Sequence, residues 1–348
     1  MVVTNPRPTL EAVAERAGVS RATVSRVVNG DTKVGAPLRQ QVERAVADLG
    51  YIPNSAARAL ATRRTGAVAV VIAEPETRVF SDPFFAQQLR GISRELSARD
   101  TQLLLLLVGT PKDYQRIGRY LSSGHVDGAL MFSLHRDDPL PGMAAASGLP
   151  TVFGGRPGWA GADRDPHLLY VDTDNRGGAR QAVHHLITRG RKRIAVITGP
   201  LDQTSALDRL DGYQDALALR EADPLLVAQG DFTAEGGERA MHELLERSPE
   251  LDAVFAGSDL MASGALRALR ERGLRVPEDV AIVGYDDLEP AAWAEPALTT
   301  VRQDVEEMGR LMAWLLLRRL GSTTGDDASG APLSPVITSA RLIERDSS

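Results

Sequence analysis

"GVSRATVSRVVNG" (18–30) carries Val24, Val27 and Val28 at helical spacing and sets Arg21, Ala22, Ser25 and Arg26 on the opposite face. A helix with one buried face and one short, basic, hydrogen-bonding face is shaped to touch a partner. Upstream, "TLEAVAERAG" (9–18) reads as a second helix. Thr9 caps it, Leu10, Val13, Ala14 and Ala17 form its apolar stripe, and Gly18 ends it. Ser20 caps the opening helix, which runs from Arg21 to about Asn29 and is closed by Gly30. Downstream, residues 37–49 predict a third helix with Leu38, Val42, Ala45, Val46 and Leu49 on one face and Gly50 as its stop. Two short helices joined by a tight turn over a small apolar seam make a helix-turn-helix pattern.

Charge is distributed to match. Residues 1–64 hold ten Arg and Lys against five acids, a balance of +5, while the remainder holds 30 against 41, or −11. A basic head on an acidic body is the electrostatic footprint of a DNA-binding module attached to something else. In such modules the second helix enters the major groove. Arg21 and Arg26 suit two-pronged hydrogen bonds to guanine, and Ala22 suits a thymine methyl. Ser20, Thr23 and Ser25 suit phosphates, which fix register without reading sequence. Thr9 and Asn29 complete the DNA-facing set. The bland alternative is a small helical bundle with a solvated arginine face. In "YIPNSAARALATRRTG" (51–66), Asn54 or Ser55 caps a short helix whose ridge includes Ala57 and Leu60, with Arg58 between them. Such a helix is marginal alone in water. It is expected to order on DNA, with Leu60 wedged into the minor groove; an ordinary linker helix is the alternative.

"TLEAVAERAGVSRATVSRVVNG", followed by "LGYIPNSAARAL", resembles the head and hinge of the lac-repressor/gal-repressor family of bacterial transcription regulators over residues 9–62. One departure is "VGAPLRQQV", where Gly35, Ala36 and Pro37 stand in place of the usual Ser or Thr cap of the third helix.

The rest of the 348 residues is too much for one compact core, so further domains are expected. There are no cysteines, which removes disulfides, thiolate nucleophiles and cysteine metal sites. No basic segment followed by an apolar run opens the chain, and "LLLLLV" (103–108) is too short to span a bilayer, so a cytoplasmic protein without a membrane partner is expected. Short apolar runs recur at 66–74, 101–109, 126–133, 151–155, 168–173, 193–199, 225–232, 253–259 and 280–287, separated by helical stretches. Continuous apolar strands alternating with helices mean parallel sheets covered on both faces. The expected fold is therefore an all-α helix-turn-helix head plus an α/β body.

Ligands of parallel sheets bind beyond the carboxyl ends of the strands. Those ends carry Asp82, Phe84 and Phe85; Gln203, Ser205 and Arg209; Phe232; Ser258 and Asp259; and Asp286. Guanidinium, carboxylates, hydroxyls and aromatic faces together suit a polar small ligand. Each alone has a plainer role: Asp259 and Asp286 as helix caps, Phe84 as core.

The family resemblance continues here. "DPFFAQQLRGI", "DRLDGY", "GDF" and "VAIVGYDDLEPAAWAEPALTTVRQD" sit in the order of the family's effector domain, itself similar to two-lobed periplasmic sugar-binding proteins. The resemblance implies effector contacts at Phe84, Gln203, Ser205, Arg209, Phe232, Ser258 and Asp286. It implies a helix-turn-helix domain at 1–53, a hinge and linker at 54–65, and an effector and dimerisation domain at 66–348. Within the last, one lobe is expected at 66–166 with 299–324, and the other at 167–298 with 325–345. The crossovers then fall near 164–170, 288–300 and 321–334, the last a low-complexity stretch expected to be partly mobile. Only "RDSS" follows the final strand, so without a C-terminal heptad helix a homodimer is expected over a tetramer.

No phosphate-binding loop or zinc helix of the G-x-x-x-x-G-K-[ST] or H-E-x-x-H type is present. "DTDNRGG" (172–178) lacks the Gly and closing Glu of a calcium loop, leaving Asp172 as a strand end and Asp174 as a helix cap. His184 and His185 have no second ligand at metal spacing. The expectation is thus no enzyme, no catalytic or metal residue and no cofactor, but a repressor of operator DNA answering a small polar effector. A sugar is favoured; a nucleobase or nucleoside uses the same kind of residues, and a sugar-binding protein without DNA is the other alternative.

Overall fold

The computed structural model describes residues 8–28, 33–52, 64–159, 167–218, 226–322 and 333–348. The chain divides into two compact units, Met1–Gly66 and Ala67–Ser348.

The first unit holds α1 (Leu10–Ala17), α2 (Arg21–Val28) and α3 (Ala36–Leu49). Each boundary has a local cause. Thr9 Oγ1 accepts from the Ala12 N–H (3.2 Å), and Gly18 closes α1 in the left-handed region. Ser20 Oγ accepts from the Thr23 N–H and caps α2. Gly35, which has no side chain to cap with, precedes α3, and Pro in the first turn sets its entry. Val13, Ala17, Val24, Val27, Val42 and Ala45 bury a shared core. Leu38 does not join it: it is 43% exposed on the first turn of α3.

The second unit contains two six-stranded sheets. The strands are β1 (Ala67–Ile72), β2 (Gln102–Leu107), β3 (Gly128–Phe132), β4 (Thr151–Gly154), β5 (Leu169–Thr173), β6 (Ile194–Thr198), β7 (Val227–Gln229), β8 (Ala253–Ala256), β9 (Ala281–Asp286), β10 (Thr299–Arg302), β11 (Val336–Thr338) and β12 (Arg341–Ile343). One sheet runs β11-β5-β4-β3-β1-β2, the other β12-β10-β9-β8-β6-β7. All pairings are parallel except β10 with β12.

The period of two divides each strand between two cores. Val68, Val70 and Ile72 of β1 face α5 (Pro83–Ser97), which follows the short α4 (Glu76–Ser81), and α13 (Val305–Ser322). Ala69 and Val71 face α6 (Pro111–Leu121) and α7 (Leu140–Ser147). The second sheet packs the same way. Ile194 and Val196 meet α8 (Asn175–Thr188) and α9 (Thr204–Ala218), while Ala195 and Ile197 meet α10 (Ala234–Arg247) and α11 (Asp259–Glu271). The short α12 (Glu289–Trp293) follows β9. Helices α5 and α13 touch through glycine: a Cβ on Gly91 would strike the Glu306 carbonyl, and one on Gly309 the Gln88 carbonyl.

The pairings correct the lobe boundaries. The crossovers expected at 164–170, 288–300 and 321–334 lie instead just after β5, just after β10 and between β11 and β12. β5 pairs with β4 (Val152↔Leu169), so it completes the first sheet rather than opening the second. β10 pairs with β9 (Thr299↔Val283) and stays in the second sheet. β11 pairs with β5, and β12 with β10. The first lobe is therefore 67–173, 305–322 and 336–338; the second is 175–302 and 341–348. Apolar runs say "strand" without saying which sheet receives it. Of 321–334, residues 323–332 lie outside the described residues.

Candidate functional site

All three crossovers leave from the carboxyl ends of the strands, so both lobes turn those ends towards one cleft. Its empty space is about 1020 Å³, open solvent at the mouth included. Phe84, Gln203, Ser205, Arg209, Phe232, Ser258 and Asp286, distant in sequence, all line it. Asp82 and Phe85 line it too, whereas Asp259 does not. Asp259 is buried behind it, accepting from Leu288 N–H (2.8 Å) and Thr300 Oγ1 (2.5 Å).

Arg209 organises the floor. Its Nε donates to Asn175 Oδ1 (2.9 Å) and its Nη1 to the Gly257 carbonyl (2.5 Å), with Asp286 Oδ1 3.6 Å away. Its guanidinium lies 3.7 Å from the Tyr285 ring centroid and 5.9 Å from that of Phe232. Asp286 also accepts from Gln303 Nε2 (2.6 Å). Burial pushes the Asp286 carboxyl up to about 7 against the pull of Arg209, and burial likewise raises Asp172, Asp82 and, strongly, Asp259. Phe232 (φ 63°) and Asp286 (φ 112°) hold backbone angles that cost a side-chain-bearing residue roughly 1–3 kcal/mol each, and such strain clusters at ligand sites. The Phe232 ring fills the space a Cβ would need at Gly199. Ser258 Oγ caps α11 by accepting from Met261 N–H, which leaves its own O–H to donate.

The rim is bridged between lobes. His135, following β3, meets Asp202, following β6, with Nδ1 2.8 Å from the carboxylate. Gln203 Nε2 donates to Glu74 Oε1 (3.3 Å). Arg156 pairs with Asp208 (2.5 Å), and Thr204 Oγ1 donates to the Arg156 carbonyl (2.6 Å). The Glu74 and Asp202 carboxylates raise His135 to about 9. Burial works to raise Glu74, but His135 and Arg78 outweigh it and hold that carboxyl low.

Arg78, Gln88, His135, Arg156, Trp159, Asp172, Asn175, Asp202 and Gln303 line the cleft without having been singled out as ligand contacts in the sequence. Asp172 lies at the end of β5, and Asn175 and Gln303 follow β5 and β10, so all three carry the signal of polar residues at strand ends. Asp174 caps α8 through Gly177 N–H (2.8 Å).

On the head, Arg21, Ala22 and Arg26 are exposed along one side of α2, with Ser25 and Thr23 half-buried beside them and Ser20 and Thr9 exposed at helix starts. Arg21 Nε lies 2.9 Å from Glu11 of α1. The Ser20 and Thr23 hydroxyls lie 2.9 Å apart. Asn29, Asn54, Ala57, Arg58 and Leu60 lie outside the described residues. Among the described residues no helix is long and apolar enough to cross a membrane.

A helix-turn-helix head and a two-lobed body with a polar cleft define a ligand-responsive DNA-binding regulator. Comparison with known proteins agrees. Residues 9–54 match the family described as bacterial regulatory proteins, lacI family, and residues 183–348 match the periplasmic binding protein-like domain. The chain is 52% identical to the HTH-type transcriptional regulator CelR of Thermobifida fusca over 91% of its own length and 94% of the relative's. It is 37% identical to the ribose operon repressor of Escherichia coli K12 over the same shares. Among solved structures it resembles a CelR–cellobiose complex (47% identity, TM-score 0.76, covering 98% of this chain and 100% of that one). It also resembles a lac repressor dimer bound to operator and an anti-inducer (29%, TM-score 0.81, 98% and 99%). The chain belongs to the LacI family: it is a DNA-binding transcriptional repressor that responds to a ligand, not an enzyme.

Proposed function

We propose that the chain works in the cytoplasm as a homodimer on a near-palindromic operator and that its effector is a β-linked glucose disaccharide, with cellobiose as the reference compound. The observation that carries the effector reading is the meeting of Arg209, Asp286, Ser258, Gln203 and Ser205 with the Phe84 and Phe232 rings in one cleft. Paired acceptors and donors suit vicinal hydroxyls, and aromatic faces suit the C–H faces of a sugar ring. The relative at 52% identity and the cellobiose complex of its namesake support a glucose disaccharide over the ribose of the 37% relative.

On DNA, α2 lies in the major groove. Arg21 and Arg26 read guanines, Ala22 packs on a thymine methyl, Ser20, Thr23 and Ser25 hold phosphates, and Thr9 and Asn29 complete the DNA-facing set. Asn54, Ala57, Arg58 and Leu60 of the hinge enter the minor groove at the centre of the site. The effector stabilises one arrangement of the lobes over another, and that difference is what reaches the operator.

The test has two readings on the purified chain. Calorimetry with cellobiose is expected to show saturable binding, one site per chain. Operator sites selected from random DNA are expected to be two-fold symmetric, with affinity changing by about 5–150-fold when cellobiose is added. No cellobiose binding, or an operator response to ribose or a purine base instead, overturns the effector assignment.

A further inference from the structure

The cleft changes character along its depth. At the floor Arg209, Phe232, Ser258 and Asp286 are each less than a tenth exposed. At the mouth the side chains of His135 and Asp202 are 33% and 51% exposed, and Trp159 is half-buried. All of them line the same cavity. The floor set has the composition for one pyranose ring. A disaccharide whose first ring sits there must carry its second ring outward to the mouth.

The mouth is built to receive a ring. Trp159 stands edge-on to Phe153 (centroids 4.9 Å, planes at 61°), so the indole is fixed in orientation by a side chain that is itself buried. Its N–H makes no hydrogen bond among the described residues. A Cβ on Gly154, the last residue of β4, would collide with Phe132 and Met312, and Gly155, at φ 90°, turns the chain out of the strand towards Trp159. From the other lobe, Asp202 uses Oδ2 for His135, while its Oδ1 has no partner among the described residues. The mouth thus offers one flat apolar face, one N–H donor, one imidazole and one carboxylate oxygen, drawn from both lobes.

We propose that Trp159, His135 and Asp202 form an outer subsite for the second pyranose ring of a disaccharide, and that it is this subsite that separates disaccharide from monosaccharide. The proposal rests on the sugar-effector reading above. The indole takes the C–H face of the ring, Asp202 accepts from its hydroxyls, and the His135–Asp202 contact closes the lobes over it. A β-linked glucose pair, extended and with equatorial hydroxyls, presents flat C–H faces at both rings. An α-linked pair bends away from the indole.

The experiment is calorimetry of the full-length chain with cellobiose, maltose and glucose, for the wild type, Trp159→Ala and Trp159→Phe. Thermal midpoints report whether each variant folds. Trp159→Ala is expected to weaken cellobiose by about tenfold or more while glucose changes by less than about twofold, with Trp159→Phe between. Wild-type indole fluorescence is expected to shift on cellobiose and not on glucose. Unchanged cellobiose affinity in a folded Trp159→Ala, or equal loss for cellobiose and glucose, overturns the outer subsite and leaves the effector reading standing. A wild-type chain that binds none of the three sugars overturns the effector reading, and this proposal with it.

Discussion

The two working surfaces of this molecule use arginine in opposite ways. Arg21 on the head is 71% exposed and touches Glu11 in a pair that is itself 62% exposed. Arg209 in the cleft is 7% exposed, and its guanidinium is held by an amide, a carbonyl, a carboxylate and an aromatic ring. DNA is a large, charged ligand that a solvated cation can meet by displacing counterions. A small polar ligand has few atoms, so each contact must be placed in advance and shielded from water. On the proposed reading, head arginines contribute to binding and little to folding, whereas the cleft arginine contributes to both.

The sharpest break of that contrast is Arg209→Ala. It is expected to abolish the effector response in titrations. It also leaves Asp286 without its counter-charge, and loss of a buried partner typically costs about 3–5 kcal/mol, so the thermal midpoint of the body is expected to fall. A variant that loses the response at an unchanged midpoint would show that the cleft is less coupled to folding than its geometry implies. Arg26→Ala is the head counterpart. It is expected to cost about 1–3 kcal/mol of specific operator affinity in binding isotherms, with no change in midpoint. Unchanged affinity for the selected site would remove Arg26 from base reading.

The rim clasp lies between these extremes and answers to pH. His135 is raised from 6.5 to about 9 by Glu74 and Asp202, so its clasp is fully present below about pH 6.5 and is lost as pH rises through about 9. The difference in midpoint between wild type and His135→Gln is expected to shrink across that window. Asp286, raised by burial, changes stability at lower pH, and it cancels in the difference between the two chains. A difference that is flat from pH 6 to roughly 9.5 would show that the clasp contributes nothing.

The smallest expected effect is Glu11→Gln. Exposed ion pairs are worth about 0–1 kcal/mol. Freeing Arg21 from Glu11 is expected to raise operator affinity by no more than about fivefold at low salt, an effect that fades as salt is added. A loss of affinity instead would mean that Glu11 positions Arg21 for the base it reads.

Much of this was legible locally. Thr9, Gly18, Ser20 and Gly50 mark helix ends by their own chemistry, and nine strands stand where apolar runs end at polar residues. The seven residues proposed for the effector were legible as residues following strands and by resemblance, and the structure brings them to one cleft. Leu38 misled because helical spacing assigns a face without saying whether another element covers every turn of it. The crossovers misled because β5 looks like any other strand and β10 lies outside the nine apolar runs. What decides their sheet is a hydrogen-bonded neighbour more than ten residues away in sequence. Trp159 and His135 follow β4 and β3 as closely as Gln203 and Phe232 follow β6 and β7, but no local pattern marked them as cleft residues.

The sequence by itself determined the head helices, nine of the strands, the basic head, the alternation of strands and helices, and the polar residues that end the strands. These depend on side-chain chemistry and on periods of two and 3.6 residues, and both are local. Only the tertiary structure decided which sheet takes β5, β10, β11 and β12, and so where the lobes divide. It alone brought Arg209 to Asp286 and His135 to Asp202. Such pairings depend on the three-dimensional path of the backbone, and burial between two lobes is a property that no single stretch of chain possesses.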